Sequence, residues 1–150
     1  MAKYKKVLLA LDLGADNKEI IEQARQVIAD HGAELLLVHA HEPTLTAYQA
    51  GGMAAISSQI VSLDEELRKV EEKKLAEVCK ELGVPEDKCY MPFGRASTEI
   101  KRIAEDQDVD LIVIGTHGQK GLGLLLGSTA NAVLHGVTCD VLAVRTARDD

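Results

Sequence analysis

Short unbroken apolar runs alternate with longer amphipathic stretches along this chain. Lys6 to Asp12 (KVLLALD) is an apolar run ended by an acid, which predicts a strand buried on both faces. Asp16, three residues before Glu19, predicts a capping box, and Ile20, Ala24, Val27 and Ile28 then recur at helical spacing until Gly32. A second buried strand is predicted over Glu34 to Ala40 (ELLLVHA), with His41, Glu42 and Pro43 marking its exit into a loop. The stretch Thr44 to Ser58 is rich in small residues and weakly periodic, so it is expected to be mobile and to cover a site. Leu63 to Leu82 predicts a long charged helix. Its apolar stripe is Leu67, Val70, Leu75, Val78 and Leu82, with Asp64–Arg68 and Glu65–Lys69 as supporting i, i+4 pairs before Gly83 and Pro85 end it.

Lys88 to Phe93 (KCYMPF) predicts an edge strand, because Pro92 has no N–H to give to a ladder. Ser97 is the expected cap of a helix carrying Ile100, Ile103 and Ala104, and Leu111 to Gly115 (LIVIG) is the fourth strand. Ser128 to His135 should be a helix with Ala130, Val133 and Leu134 inward, and Asp140 to Val144 a fifth strand. Five strands alternating with four helices predict an α/β domain, a doubly wound parallel sheet whose crossover helices cover both faces in the right-handed sense.

The 150 residues, 46% of them hydrophobic, suit a single domain spanning 1–150. A formal net charge of −7 argues against a nucleic-acid partner, and four aromatic residues provide no stacking platform for single strands. The basic start Met1 to Lys6 resembles a signal peptide only until Asp12 breaks the apolar run, and no stretch has the length of a membrane span. Three scattered cysteines, Cys79, Cys89 and Cys139, suggest neither a disulfide framework nor a zinc site; a cytoplasmic, reducing compartment is expected. Cys89 and Cys139 are read as small buried hydrophobes.

Candidate chemistry concentrates between Gly115 and Thr129 (GTHGQKGLGLLLGST), which leaves a buried strand and enters a helix. Glycines there let main-chain N–H groups approach an anion, and the helix opened by Gly127 and Ser128 adds unpaired N–H groups and its dipole. The competing reading is that these glycines only make turns. No Walker A pattern is present, and Gly121-Leu122-Gly123 does not directly follow a strand as a dinucleotide fingerprint would. In open α/β sheets ligands sit beyond the carboxyl ends of the strands where strand order reverses, which directs attention to Asp12 and Gly115.

Gly115-x-x-Gly118, a spacer, and Gly127-Ser128, followed by NAVLH at Asn131 to His135 and CDVLAVR at Cys139 to Arg145, resemble the universal stress protein family. Lys5 to Asp12 and Leu35 to Ala40 extend the resemblance over the whole chain. It implies a Rossmann-like sheet of order 3-2-1-4-5, a homodimer paired through Asp140 to Val144, and an adenine nucleotide, ATP or AMP, with Mg²⁺ as a candidate companion. Carried across, adenine and ribose would lie near Leu11, Asp12, Ala40 and Ile114, and phosphates near Gly115, Gly118, Gly127, Ser128 and Thr129. Two departures stand out. The spacer between Gly118 and Gly127 is eight residues where nucleotide-binding members have nine, and Gly14 stands where the family often has serine.

The remaining polar residues carry weaker signals. His39 and His41 share a strand face but lack a third metal ligand at a supporting spacing, so they are read as strand-end residues. His117 has no nucleophile or orienting partner and is read as a polar loop residue. Pro92-Phe93-Gly94 offers no acid for a phosphorylatable receiver site. The expectation is a stress-response regulator that binds nucleotide and is not an enzyme, with slow ATP hydrolysis and a nucleotide-free adapter as the alternatives. Neither nucleic acid nor membrane is an expected partner.

Overall fold

The computed structural model describes residues 3–13, 17–43, 57–116 and 127–145, the side chains of 57–60 excepted. Its elements are β1 (Lys6–Ala10), α1 (Lys18–His31), β2 (Glu34–Val38), α2 (Ser57–Leu82), β3 (Cys89–Tyr90), α3 (Ala96–Asp106), β4 (Leu111–Gly115), α4 (Ser128–Gly136) and β5 (Asp140–Val144). All strand pairs are parallel and the sheet order is β3-β2-β1-β4-β5, the doubly wound order expected. Strand β1 is therefore central, with Leu9 in register with Leu37 on one side and Val113 on the other.

Because side chains alternate along a strand, the apolar runs supply two cores. Val7, Leu9, Leu37 and Val113 pack with Ile20 and Ala24 of α1 and Leu75 and Cys79 of α2. Leu8, Leu36, Ile112 and Ile114 pack with Ile100 and Ile103 of α3 and Ala130 and Val133 of α4. At the opposite end of the sheet from the strand C-termini, the Asp110 carboxylate accepts the Lys5 and Lys6 main-chain N–H groups at 2.7 and 2.8 Å, tying the starts of β1 and β4 together. The Lys6 and Lys5 N–H groups hold its pKa below the ordinary aspartate value.

Several local expectations are corrected. Strand β1 stops at Ala10, two residues before Asp12. Helix α1 begins at Lys18 behind Asn17, whose side chain does not cap it but donates to the Asp12 carbonyl at 3.0 Å; Asp16, the other half of the expected capping box, lies outside the described residues. Gly32 closes this helix in the left-handed region, φ 62°, where its N–H reaches Ile28 O. Helix α2 starts six residues before Leu63, and its apolar stripe is buried only in its second half: Leu75 is buried, whereas Leu67 and Val70 are exposed. The described part of the expected covering segment 44–58 is the first turn of α2; residues 44–56 lie outside the described residues.

Strand β3 keeps only Cys89 and Tyr90, since Lys88 belongs to a 3₁₀ turn over Glu86–Lys88; it does occupy the sheet edge. Ser97 is not a cap but sits buried inside α3, and the Glu42 carboxylate accepts the Ala96 N–H at 2.8 Å instead. Leu134 is exposed rather than inward.

Cysteine chemistry differs from expectation as well. Cys79 near the end of α2 and Cys89 at the start of β3 are disulfide-bonded, and Cys139 is the free thiol. The turn at Gly83 and the 3₁₀ segment fold the intervening chain back, a juxtaposition that spacing alone does not reveal. For a loop this short, reduction is expected to lower unfolding stability by about 2–3 kcal/mol. Urea melts with and without reductant, beside a thiol count in denaturant, check this; three titratable thiols before reduction would remove the bond from solution.

Candidate functional site

A cleft of about 350 Å³ opens at the carboxyl ends of β1, β2 and β4, where strand order reverses. Of the residues singled out from sequence, Leu11, Asp12, Ala40 and Ile114 line it on the strand side. Gly115, Gly127, Ser128 and Thr129 line it on the side of the β4–α4 connection, while Gly118 lies outside the described residues. The buried side chains of Ala10, Val38 and Ile114 form its apolar floor.

Two sets of main-chain groups face this space. Helix α4 starts at Ser128 behind Gly127, with no side-chain cap, so its first-turn N–H groups carry the positive end of the dipole without intrahelical partners. Gly127 itself is held by its N–H to Thr116 O, and Thr116 N–H in turn reaches Val144 O, so the helix start is fastened to the ends of β4 and β5. The second set belongs to Ala40. His39 N–H donates to Tyr90 O and His41 N–H to Pro92 O, both toward the β3 side. Alternation along the extended chain turns the N–H and C=O of Ala40 the other way, toward the place where β1 has ended. Ala40 is buried, and no described residue takes either group.

Polar side chains complete the walls, and sequence reasoning had missed most of them. Asn17, His39, Glu42 and Glu71 also line the cleft. His39 and His41 are more than strand-end residues: both are buried against α2, where Glu71 bridges them and Asp64 meets the far nitrogen of His41. Asp64 meets a histidine of β2's extension, and among the described side chains of this helix the i, i+4 ion pair is Arg68–Glu72 at 3.8 Å. No spacing rule joins His41 to an acid 30 positions away; the only available signal was a pair of histidines in an otherwise apolar strand. Burial opposes the charged form of His41, but its hydrogen bonds to Glu71 and Asp64 and their charges outweigh it and hold its pKa above the ordinary value. Among the described residues no group of three or more His, Cys, Asp and Glu is arranged to hold a metal ion, and no helix is long and apolar enough to cross a membrane.

The described pattern matches known proteins in both sequence and shape. The model of the universal stress protein family matches residues 3–145. Universal stress protein A homolog 1 of Coxiella burnetii is 41% identical over 141 residues, which cover 94% of this chain and 96% of that protein. Among solved structures, the universal stress protein UspA from Lactobacillus plantarum superposes with a TM-score of 0.79 at 19% identity, covering 97% of this chain and all of that one. A universal stress protein solved in complex with cAMP superposes with a TM-score of 0.58 at 24% identity, covering 96% of this chain and 98% of that one. At these identities the two structures speak for the fold.

Proposed function

The chain belongs to the universal stress protein family, and from that premise we propose that it binds an adenine nucleotide, ATP or AMP, as a homodimeric regulator rather than an enzyme. One arrangement carries the reading: a single cleft has an open donor–acceptor pair at Ala40 on one wall and an unpaired helix start at Ser128 on the other. The six-membered edge of adenine offers an acceptor nitrogen beside an amine donor, the complement of Ala40's N–H and C=O. Phosphate suits the N–H groups and dipole at Gly127 to Thr129. Asp12 between them would accept ribose hydroxyls. The cleft volume falls within the range of small-molecule sites.

The same residues are compatible with Mg²⁺. Asp12 would contribute one carboxylate oxygen and the phosphates and water the others, as is usual for this ion; bound Mg²⁺ would neutralise phosphate charge. No general base is assigned to the cleft, and regulation through occupancy is the function proposed. The homodimer would form by pairing β5 with its copy, since β5 is the sheet edge beyond β4 and, among the described residues, no strand pairs with its outer side. Light scattering should then give twice the 16.2 kDa chain mass. The cytoplasm is the proposed compartment, where Cys79–Cys89 would meet a reducing thiol pool.

The direct test denatures freshly purified protein, separates the released small molecules by chromatography, and titrates dialysed protein with ATP. Co-purified adenine nucleotide or saturable ATP binding at micromolar concentration is expected. If neither appears, the nucleotide reading fails.

A further inference from the structure

His39 and His41 flank Ala40 and point to the same side of the sheet, as alternate residues must. They are only 9% and 1% exposed. The His39 ring places Nδ1 2.9 Å from Leu11 O and Nε2 3.0 Å from Glu71 Oε1. The His41 ring places Nδ1 on the other Glu71 oxygen and Nε2 3.1 Å from Asp64 Oδ1. Together the two rings fasten α2 to the segment Leu11 and Ala40 share at the cleft rim.

The proton count of this cluster is restrictive. A carbonyl and an ionised carboxylate only accept, and a neutral imidazole carries a single N–H. The two His41 nitrogens face two carboxylate oxygens and need two protons, one more than a neutral ring supplies. With the His41 ring protonated both of its contacts are hydrogen bonds, and its positive charge lies between the two carboxylates. Each proton removed leaves a ring lone pair against an acceptor oxygen in a buried setting, which costs the full unmade hydrogen bond. Glu42 is turned to Ala96 N–H, and Arg68 lies over the Phe93 ring whose edge meets His41. Asp12 lies beyond Leu11 in the cleft, and Tyr90 meets His39 through its main-chain carbonyl.

We propose that His39 and His41 are positioning residues for the main chain at Ala40, and that proton loss from His41, held between Glu71 and Asp64, weakens nucleotide binding. The proposal rests on the nucleotide reading above. It makes the affinity proton-linked in a definite direction. The folded-state pKa of His41 is raised, so the cluster's contribution is complete below the ordinary histidine value of about 6.5 and is lost as pH climbs through the higher folded value. Because the protonated ring is proposed to hold Ala40 in the conformation that takes nucleotide, the bound protein keeps this proton more tightly than the free protein, and binding weakens on the alkaline side.

The test compares ATP dissociation constants of the unaltered protein and Asp64→Asn at about pH 6 and about pH 8.5, a span that brackets histidine titration. An asparagine amide can accept from a ring N–H or donate to a ring lone pair, so His41 can keep its place without its second proton. Asp64 does not line the cleft. Affinity of the unaltered protein should fall about tenfold across the span, the equivalent of one pKa unit, and that of the variant less than about threefold. Titration of ATP's own phosphate is common to both proteins and cancels in their ratio. An identical pH response in both overturns the proposal and leaves the nucleotide reading standing; no ATP binding at either pH overturns both. Should the variant fail to fold, ring-proton NMR of the unaltered protein decides. Saturating ATP must raise the apparent pKa of His41 by linkage, and an unmoved value refutes the coupling.

Discussion

Replacing Ser128 with aspartate is expected to weaken ATP binding roughly 100-fold while changing adenosine binding by less than about threefold. Ser128 opens α4 and lines the cleft, so a carboxylate at this position claims the N–H groups and the dipole that a phosphate would otherwise use. Two unit charges about 4 Å apart repel by about 4 kcal/mol at an effective dielectric constant near 20, and screening reduces this toward the 100-fold loss expected. An acid in the first helical turn stabilises the helix itself, so the variant should melt no lower than the parent. Calorimetric titration with both ligands is the measurement. Equal losses for ATP and adenosine, or no loss for either, would move the phosphates away from α4.

The contrast between what was and was not legible in the sequence follows from how far apart the interacting residues lie. Strands β1 and β4 are nearly self-evident because a run such as Leu111 to Ile114 is buried on both faces and needs no partner to be recognised. The glycines and the helix start after β4 are local signals too, which is why Gly115, Gly127, Ser128 and Thr129 were named together and share one wall. Apart from Asp12, the polar groups that complete the cleft were not legible. Glu71 is placed by the packing of Leu75 and Cys79 on the sheet, which fixes the rotation of α2 and delivers its carboxylate to His39 and His41. Cys79 and Cys89 became a pair for the same reason, through a turn whose geometry no spacing encodes. Ser97 shows the converse: a favourable cap residue stayed unused because the Glu42 carboxylate, brought in from the end of β2, met the helix start one residue earlier.

Leucines are where pattern and environment part most clearly, and a pair of substitutions measures the difference. Leu9 is fully buried on the central strand, in register with Leu37 and Val113, and its neighbours are hydrogen-bonded from both sides and cannot close over a void. Leu9→Ala is therefore expected to cost about 3–5 kcal/mol of unfolding free energy, the upper range for a leucine cavity that does not collapse. Leu67 belongs to the stripe that predicted α2, yet it is 46% exposed, so Leu67→Ala should change stability by less than about 0.5 kcal/mol. Urea melts of both variants at one protein concentration, with unchanged slopes, give the two numbers directly. A small loss at Leu9 would mean that the sheet centre repacks. A loss of several kcal/mol at Leu67 would mean that this face of α2 is covered in solution.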